Sequence, residues 1–296
     1  MILRVGLIGL GIMGSAYAGH LVDAGFPTTA YDVDPAALER YTQRGGSPAA
    51  SPKDVAVNSD LIFVALASAS AVEDALFGSD GVASGVSAGS VILDMGTFGL
   101  ELKHSVAERF AKHGASVLDT PVSGTGSQAA TRDLVVFASG DRAAFERART
   151  ALEALARDVR YVGAFGNGSK LKYIANLLVT IHNLSTAEAM VLAAKAGIDE
   201  TMLLDILGES AASSRMLQVR GPMMAANRYE PATMRLEVYK KDLEIIDAFA
   251  KSLDCPTPLF TASLPYYARA IAEGRGNQDT AAIVTVLRES AGLAPE

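Results

Sequence analysis

The hydrophobic positions of the first half fall into short, nearly continuous runs at residues 3–8, 28–32, 61–66, 91–94, 116–119, 134–138 and 159–162. Runs that are apolar almost throughout fit strands buried on both faces of a parallel sheet. Between most of them the apolar positions recur at helical spacing, as at residues 15–24, 35–44 and 100–113. Strand and helix in alternation predict a doubly wound α/β sheet of the Rossmann kind. The pattern changes after Gly163. Ala164-Phe165-Gly166-Asn167-Gly168 reads as a Gly-rich loop, and residues 169–196 then contain neither Pro nor Gly. Leu171, Ile174, Leu178, Ile181 and Leu184 recur there at helical spacing. This predicts one helix of about 42 Å, the long central helix of an all-helical second domain, ended by Gly197. Further helical patterns cover residues 199–209, 235–253, 259–273 and 280–291. The expected domains are therefore residues 1–163 and 164–296.

Composition narrows the functional classes. Hydrophobic residues make up 49% of the 296 and charged residues 20%, enough apolar material for a sizeable core. The net charge of −7 argues against sequence-independent nucleic-acid binding, which needs Lys and Arg on phosphates. One cysteine, Cys255, makes no intrachain disulfide and suits a reducing cytoplasm. Four scattered histidines and that cysteine show no zinc-ligand spacing, so no metal is expected. No uninterrupted apolar run reaches the length of a membrane span, and glycines break the only stretch resembling a signal peptide.

The first candidate chemistry is Gly9-Leu10-Gly11-Ile12-Met13-Gly14, a G-x-G-x-x-G between a strand-like run and a helix. The first Gly permits the tight turn, the second lets backbone approach a pyrophosphate, and the third lets helix and strand pack closely. The helix N-terminus then offers N–H groups to phosphates. Asp32 ends the second strand-like run, at the distance where a carboxylate accepts from a ribose 2′-hydroxyl and repels a 2′-phosphate. The reading is a dinucleotide site that favours NAD over NADP.

The second is Gly166-x-Gly168-x-x-x-Lys172-x-x-x-Asn176, at the start of the long helix. Lys172 and Asn176 share one helix face. A lysine can hand a proton to a carbonyl during hydride transfer. From the pattern alone a solvated helix lysine is the better reading, with Lys170 as a competitor for any catalytic role.

Taken together, the motifs resemble those of the β-hydroxyacid dehydrogenases, the 3-hydroxyisobutyrate dehydrogenase-like enzymes. Four blocks carry the resemblance in order: Gly9 to Gly14, Asp119-Thr120-Pro121-Val122-Ser123-Gly124, Gly166 to Asn176, and Lys241-Asp242-Leu243. The resemblance implies an NAD(P)-binding domain followed by a helical domain, with the active site between them. It implies Lys172 as the catalytic lysine and Asn176 as the asparagine beside it. It implies Ser123, Gly124 and Thr125 as the substrate-carboxylate loop, and Leu66, Ala67, Thr97 and Lys241 as cofactor contacts beside Gly9, Gly11, Ile12, Met13, Gly14 and Asp32.

Some positions depart from the family pattern. Thr125 and Arg132 stand where glycines are usual, Val135 where Thr is usual, and Ala65-Leu66-Ala67 where M-L-P is usual. Asp94-Met95-Gly96-Thr97 replaces D-S-S-T. These changes leave the substrate open among 3-hydroxyisobutyrate, tartronate semialdehyde, succinic semialdehyde and sugar acids such as threonate. Ala175 and Val179 argue against the related 6-phosphogluconate dehydrogenases, and Lys172 against imine reductases. A catalytically idle dinucleotide binder is the alternative of another class. A small carboxylate substrate and a homodimer or homotetramer complete the expectations.

Overall fold

The computed structural model describes residues 3–293. The chain divides into two compact units, Met1–Lys172 and Tyr173–Glu296. In the first, six parallel strands are built from β1 (Val5–Ile8), β2 (Thr28–Tyr31), β3 (Ser47–Pro48), β4 (Leu61–Val64), β5 (Val91–Asp94) and β6 (Ser116–Asp119). Their order is β3-β2-β1-β4-β5-β6, so the winding of the chain across the sheet reverses between β1 and β4. β1, β4 and β5 are buried at every position. Alternate residues feed two cores: Leu61, Phe63 and Leu93 pack on one face of the sheet, Ile62, Val64 and Ile92 on the other. That two-sided burial is why the runs are apolar throughout rather than alternating.

The last strands do not extend this sheet. β7 (Val122–Ser123), β8 (Val135–Ala138) and β9 (Asp158–Tyr161) form a separate three-stranded sheet in which β7 runs antiparallel to β8. An antiparallel bridge between Asp119 and Ser139 joins the end of β6 to the residue after β8. Pro121, just before β7, has no N–H to donate, so it cannot continue a central ladder.

Helix Asn167–Lys195 begins in the first unit and continues in the second. The division falls inside the helix, beyond Gly163, because the first turn is bonded to the strand ends. The N–H of Gly168 donates to Ser139 Oγ at 3.0 Å, and that of Ser169 to Asp119 Oδ2 at 2.7 Å.

In the second unit, helices Glu200–Gly208, Arg215–Ala225, Leu236–Ser252, Pro258–Ala270 and Ile283–Ser290 accompany the long helix. The helix expected to run to residue 273 ends at Ala270 and widens into a π-turn over Ile271–Arg275, where Gly274 takes φ +84°. The long helix is apolar enough to cross a membrane by length and composition. Buried polar residues in its middle nevertheless bond to neighbouring segments, as in a helical core: the Asn183 amide donates to Tyr267 Oη and to the Thr280 carbonyl. The row Leu171, Ile174 and Leu178 faces outward, 38–52% exposed, and the buried face carries Lys172, Tyr173, Asn176, Thr180, Asn183 and Leu184. Deeper in the unit, Arg220 is 3.3 Å from Asp279, both essentially without solvent contact.

Candidate active site

The turn after β1 is shaped by contacts that only glycine allows. Gly9 has φ +94°, and a Cβ on Gly14 would lie 1.9 Å from the Gly9 carbonyl oxygen. Gly11 differs: among the described residues, a Cβ there would meet no atom within 4 Å. The space over Gly11 is open, and helix Ile12–Asp23 begins beside it with, among the described residues, no side chain capping its first N–H groups.

Asp32, half-buried at the end of β2, accepts from the N–H of Leu10 at 2.5 Å and from that of Asp34 at 2.8 Å. Its carboxylate therefore pins the glycine turn as well as facing the groove. That groove is about 490 Å³, within the range of ligand sites. It brings together Gly9, Gly11, Asp32, Leu66 and Ala67. It also takes in Tyr31, Val33, Asp74 and Asp80, which the motif reading missed. Asp80 sits in a Ser-Asp-Gly turn, whose only sequence signal is the turn itself. An open helix N-terminus, a carboxylate at the strand end and a groove of this size fit the pyrophosphate and adenosine ribose of a dinucleotide. Of the other predicted contacts, Ile12 is 55% exposed, Met13 packs partly on the sheet core, and Thr97 is half-buried on the loop after β5.

The Ser123–Thr125 loop leaves β7 with Gly124 at φ +136°, where a Cβ would press on Leu134. Ser123 is half-buried. Thr125 is buried at the N-cap of helix Gly126–Ala130; its N–H donates to Gln128 Oε1 at 3.1 Å and its hydroxyl pairs with Ser127 Oγ at 3.0 Å. Arg132 has φ +60°, which accounts for the glycine usual there, and its guanidinium donates to the Glu153 carbonyl at 2.9 Å. It is a surface tether to helix Arg142–Leu155.

Lys172 and Asn176 lie one turn apart on the long helix, 8% and 4% exposed. The second glycine of their motif is a close-approach position, since a Cβ on Gly168 would sit 2.3 Å from the Phe137 carbonyl oxygen. In the helical unit the Asn176 amide donates to Asp242 Oδ2 at 2.9 Å, and Lys241 Nζ donates to Asp242 Oδ1 at 2.8 Å. A carboxylate only accepts, so the NH2 of Asn176 must face Asp242 and its carbonyl oxygen points away. The Asn176 backbone carbonyl takes the hydroxyls of Thr180 at 2.8 Å and Tyr239 at 3.0 Å. Burial raises the phenol pKa of Tyr239 far above its usual value, so it stays a neutral donor. The K-D-L block thus sets the asparagine through Asp242, a role its sequence did not reveal.

Comparison with known proteins covers both units. Residues 4–163 match the family described as the NAD binding domain of 6-phosphogluconate dehydrogenase. Residues 166–287 match that described as NAD-binding of NADP-dependent 3-hydroxyisobutyrate dehydrogenase. An L-threonate dehydrogenase of Cupriavidus necator is 33% identical over 284 residues, covering 96% of this chain and 95% of that relative. A 3-sulfolactaldehyde reductase of Escherichia coli is 33% identical over 291 residues, covering 98% and 97%. A crystal structure of a 3-hydroxyisobutyrate dehydrogenase from Salmonella typhimurium is similar at a TM-score of 0.88 and 32% identity, covering 96% of this chain and 99% of that one. With the glycine turn, the groove and the helix in place, these matches make the chain a member of the β-hydroxyacid dehydrogenase family, an NAD(P)-dependent oxidoreductase of hydroxy acids and semialdehydes.

Proposed function

We propose that the protein oxidises a small hydroxy acid, or reduces the matching semialdehyde, with NAD as cofactor and Lys172 as the group that moves the hydroxyl proton. The observation that carries this reading is a buried lysine one helical turn from a buried asparagine whose amide a carboxylate holds in one orientation. Bound nicotinamide supplies or accepts the hydride. Lys172 Nζ takes the alcohol proton in oxidation and returns it to the carbonyl oxygen in reduction. Asn176, turned by Asp242, offers its carbonyl oxygen as an acceptor that helps orient the ammonium. Ser123 and the backbone around Gly124 receive the substrate carboxylate, for which a hydroxyl and N–H donors are suited. Thr125 contributes by capping the short helix that shapes this loop.

The NAD preference is supported by the groove lining. Among the described residues it carries Asp32, Asp74 and Asp80 and no Lys or Arg. A 2′-phosphate brings additional negative charge beside these carboxylates, whereas a 2′-hydroxyl donates to one. The outward row of Leu171, Ile174 and Leu178 supports self-association through the long helix.

The test is a nicotinamide-absorbance assay over a panel headed by L-threonate and 3-hydroxyisobutyrate with NAD and NADP. The paired semialdehydes, including 3-sulfolactaldehyde, are run with NADH and NADPH. Turnover of one pair with an NAD preference is expected. No turnover with any acid or semialdehyde, in a protein that still binds NADH, would overturn the reading.

A further inference from the structure

Lys103 is a lysine that none of the sequence blocks includes. It lies on helix Leu100–Ala111 and has no solvent exposure. Burying an ammonium costs several kcal/mol unless partners repay it. Its partners are the carboxylates at the ends of two adjacent strands. Nζ is 2.8 Å from Asp119 Oδ1 and 3.3 Å from Asp94 Oδ2. Asp94 and Asp119 are register neighbours on β5 and β6, both buried. Without a cation between them, two carboxyl groups would face each other away from water. Burial already pushes the Asp94 carboxyl above the usual carboxylate range, with Lys103 opposing that push and Asp119 adding to it.

What Asp119 does with its oxygens links this cluster to the reaction. Oδ1 accepts from Lys103 Nζ and from Ser169 Oγ, the latter at 2.8 Å. Oδ2 accepts from Ser169 N–H at 2.7 Å and Ser139 Oγ at 3.1 Å. A carboxylate has about four lone-pair sites, and these four donors use them all. Two of the four come from Ser169, in the first turn of the helix that carries Lys172 one turn later. The negative charge also lies at that helix's N-terminal end, where it is favoured. Asp94 in turn accepts from the Gly96 N–H at 3.0 Å, in the turn that leads to Thr97.

We propose that Lys103 is a positioning residue for hydride transfer: through Asp119 it fixes the first turn of the Lys172 helix, and through Asp94 the Gly96–Thr97 turn. The inference rests on the reading of Lys172 as the proton-moving group.

Steady-state kinetics of the full-length protein test it, with folding of each variant checked by circular dichroism. Lys103→Met keeps the length and removes the charge. Ser169→Ala removes one of the four donors and is the milder variant if Lys103→Met does not fold. A small misplacement of a reacting group costs up to about 100-fold, so Lys103→Met should lower kcat roughly 10- to 100-fold with KM for NAD changed less than about twofold. Ser169→Ala should lower kcat roughly three- to tenfold by the same argument. Ser169→Ala added to Lys172→Ala should lower kcat no further, because it acts only through the helix turn that carries Lys172, and Lys103→Met should lower it there by less than it lowers wild type, because only its arm through Asp94 remains. Wild-type kcat in both folded variants, an effect confined to KM, or losses that multiply with that of Lys172→Ala would overturn the inference. Wild-type turnover in Lys172→Ala itself would instead refute the proton role, and the inference with it. Wild-type turnover in Lys103→Met and Ser169→Ala beside a silent Lys172→Ala refutes the positioning alone.

Discussion

Replacing Gly11 with Ala separates the cofactor site from the fold that holds it. The new Cβ meets no atom of the described residues within 4 Å, and the native φ of −63° is open to alanine. Alanine is a poorer N-cap than glycine, but it also restricts the unfolded chain. The two effects are each about 0.5–1 kcal/mol and largely cancel. The apoprotein should therefore unfold at nearly the wild-type temperature. The methyl group projects into the open space where a pyrophosphate approaches the first N–H groups of the helix. Loss of one hydrogen bond to a charged group is worth about 1.5–3 kcal/mol, so Kd for NADH should rise roughly 10- to 150-fold. Gly14→Ala is the contrast. Its Cβ would lie 1.9 Å from the Gly9 carbonyl oxygen, a backbone atom that cannot swing aside, and the cost is about 1–3 kcal/mol or more. Thermal unfolding of the apoproteins and fluorescence titration with NADH check both variants. If Gly11→Ala bound NADH as tightly as wild type, the diphosphate would not cross this turn and the assignment of the groove would fall.

Three further outcomes follow from the geometry, two of them for side chains of the first unit and the long helix. Asp32→Ala removes the acceptor for the Leu10 and Asp34 N–H groups and one carboxylate from the groove, so it should weaken NAD and narrow the NAD/NADP preference in kcat/KM; an unchanged preference would exclude Asp32 from cofactor choice. Ile174→Glu places a charge in the outward row of the long helix and should shift any dimer or tetramer toward smaller species in sedimentation; an unchanged distribution would rule that row out as an interface. The third concerns acid stability. Burial pushes the Asp279 carboxyl up, but Arg220 and the donors of Ala281, Thr233 and Met234 outweigh it and hold its pKa below the usual range. A depressed native pKa means that this stabilisation is complete above the unfolded-state value and is lost as pH falls through the native one. Wild type should accordingly lose urea resistance on acidification more steeply than Asp279→Asn, and parallel curves would contradict this.

Much of the first unit was legible because its strands are buried on both faces. β5 and β6 begin and end where the apolar runs at residues 91–94 and 116–119 do. In the second sheet the runs at residues 134–138 and 159–162 marked β8 and β9, but β7 and the separation from the first sheet were not legible, since a two-residue strand after Pro121 leaves no pattern and its pairing with β8 is set at a distance. Helix Arg215–Ala225 was missed because Gly221 and Pro222 sit inside it and read as breakers. On the long helix the periodic leucines identified the element but not its inner face, which is lined by polar residues bonded within the protein. The same limit hid Lys103. An isolated lysine on an amphipathic helix reads as solvated, and only the convergence of two strand ends shows that it is buried.

The proposed reaction turns on Lys172 moving the proton. The measurement that tests it most directly compares wild type with Lys172→Ala at saturating NAD on the acid the panel identifies, with NADH affinity measured alongside. General acid–base catalysis contributes about 100-fold or more, so kcat should fall by at least roughly that factor while NADH binds as in wild type. Wild-type turnover in Lys172→Ala would contradict the claim.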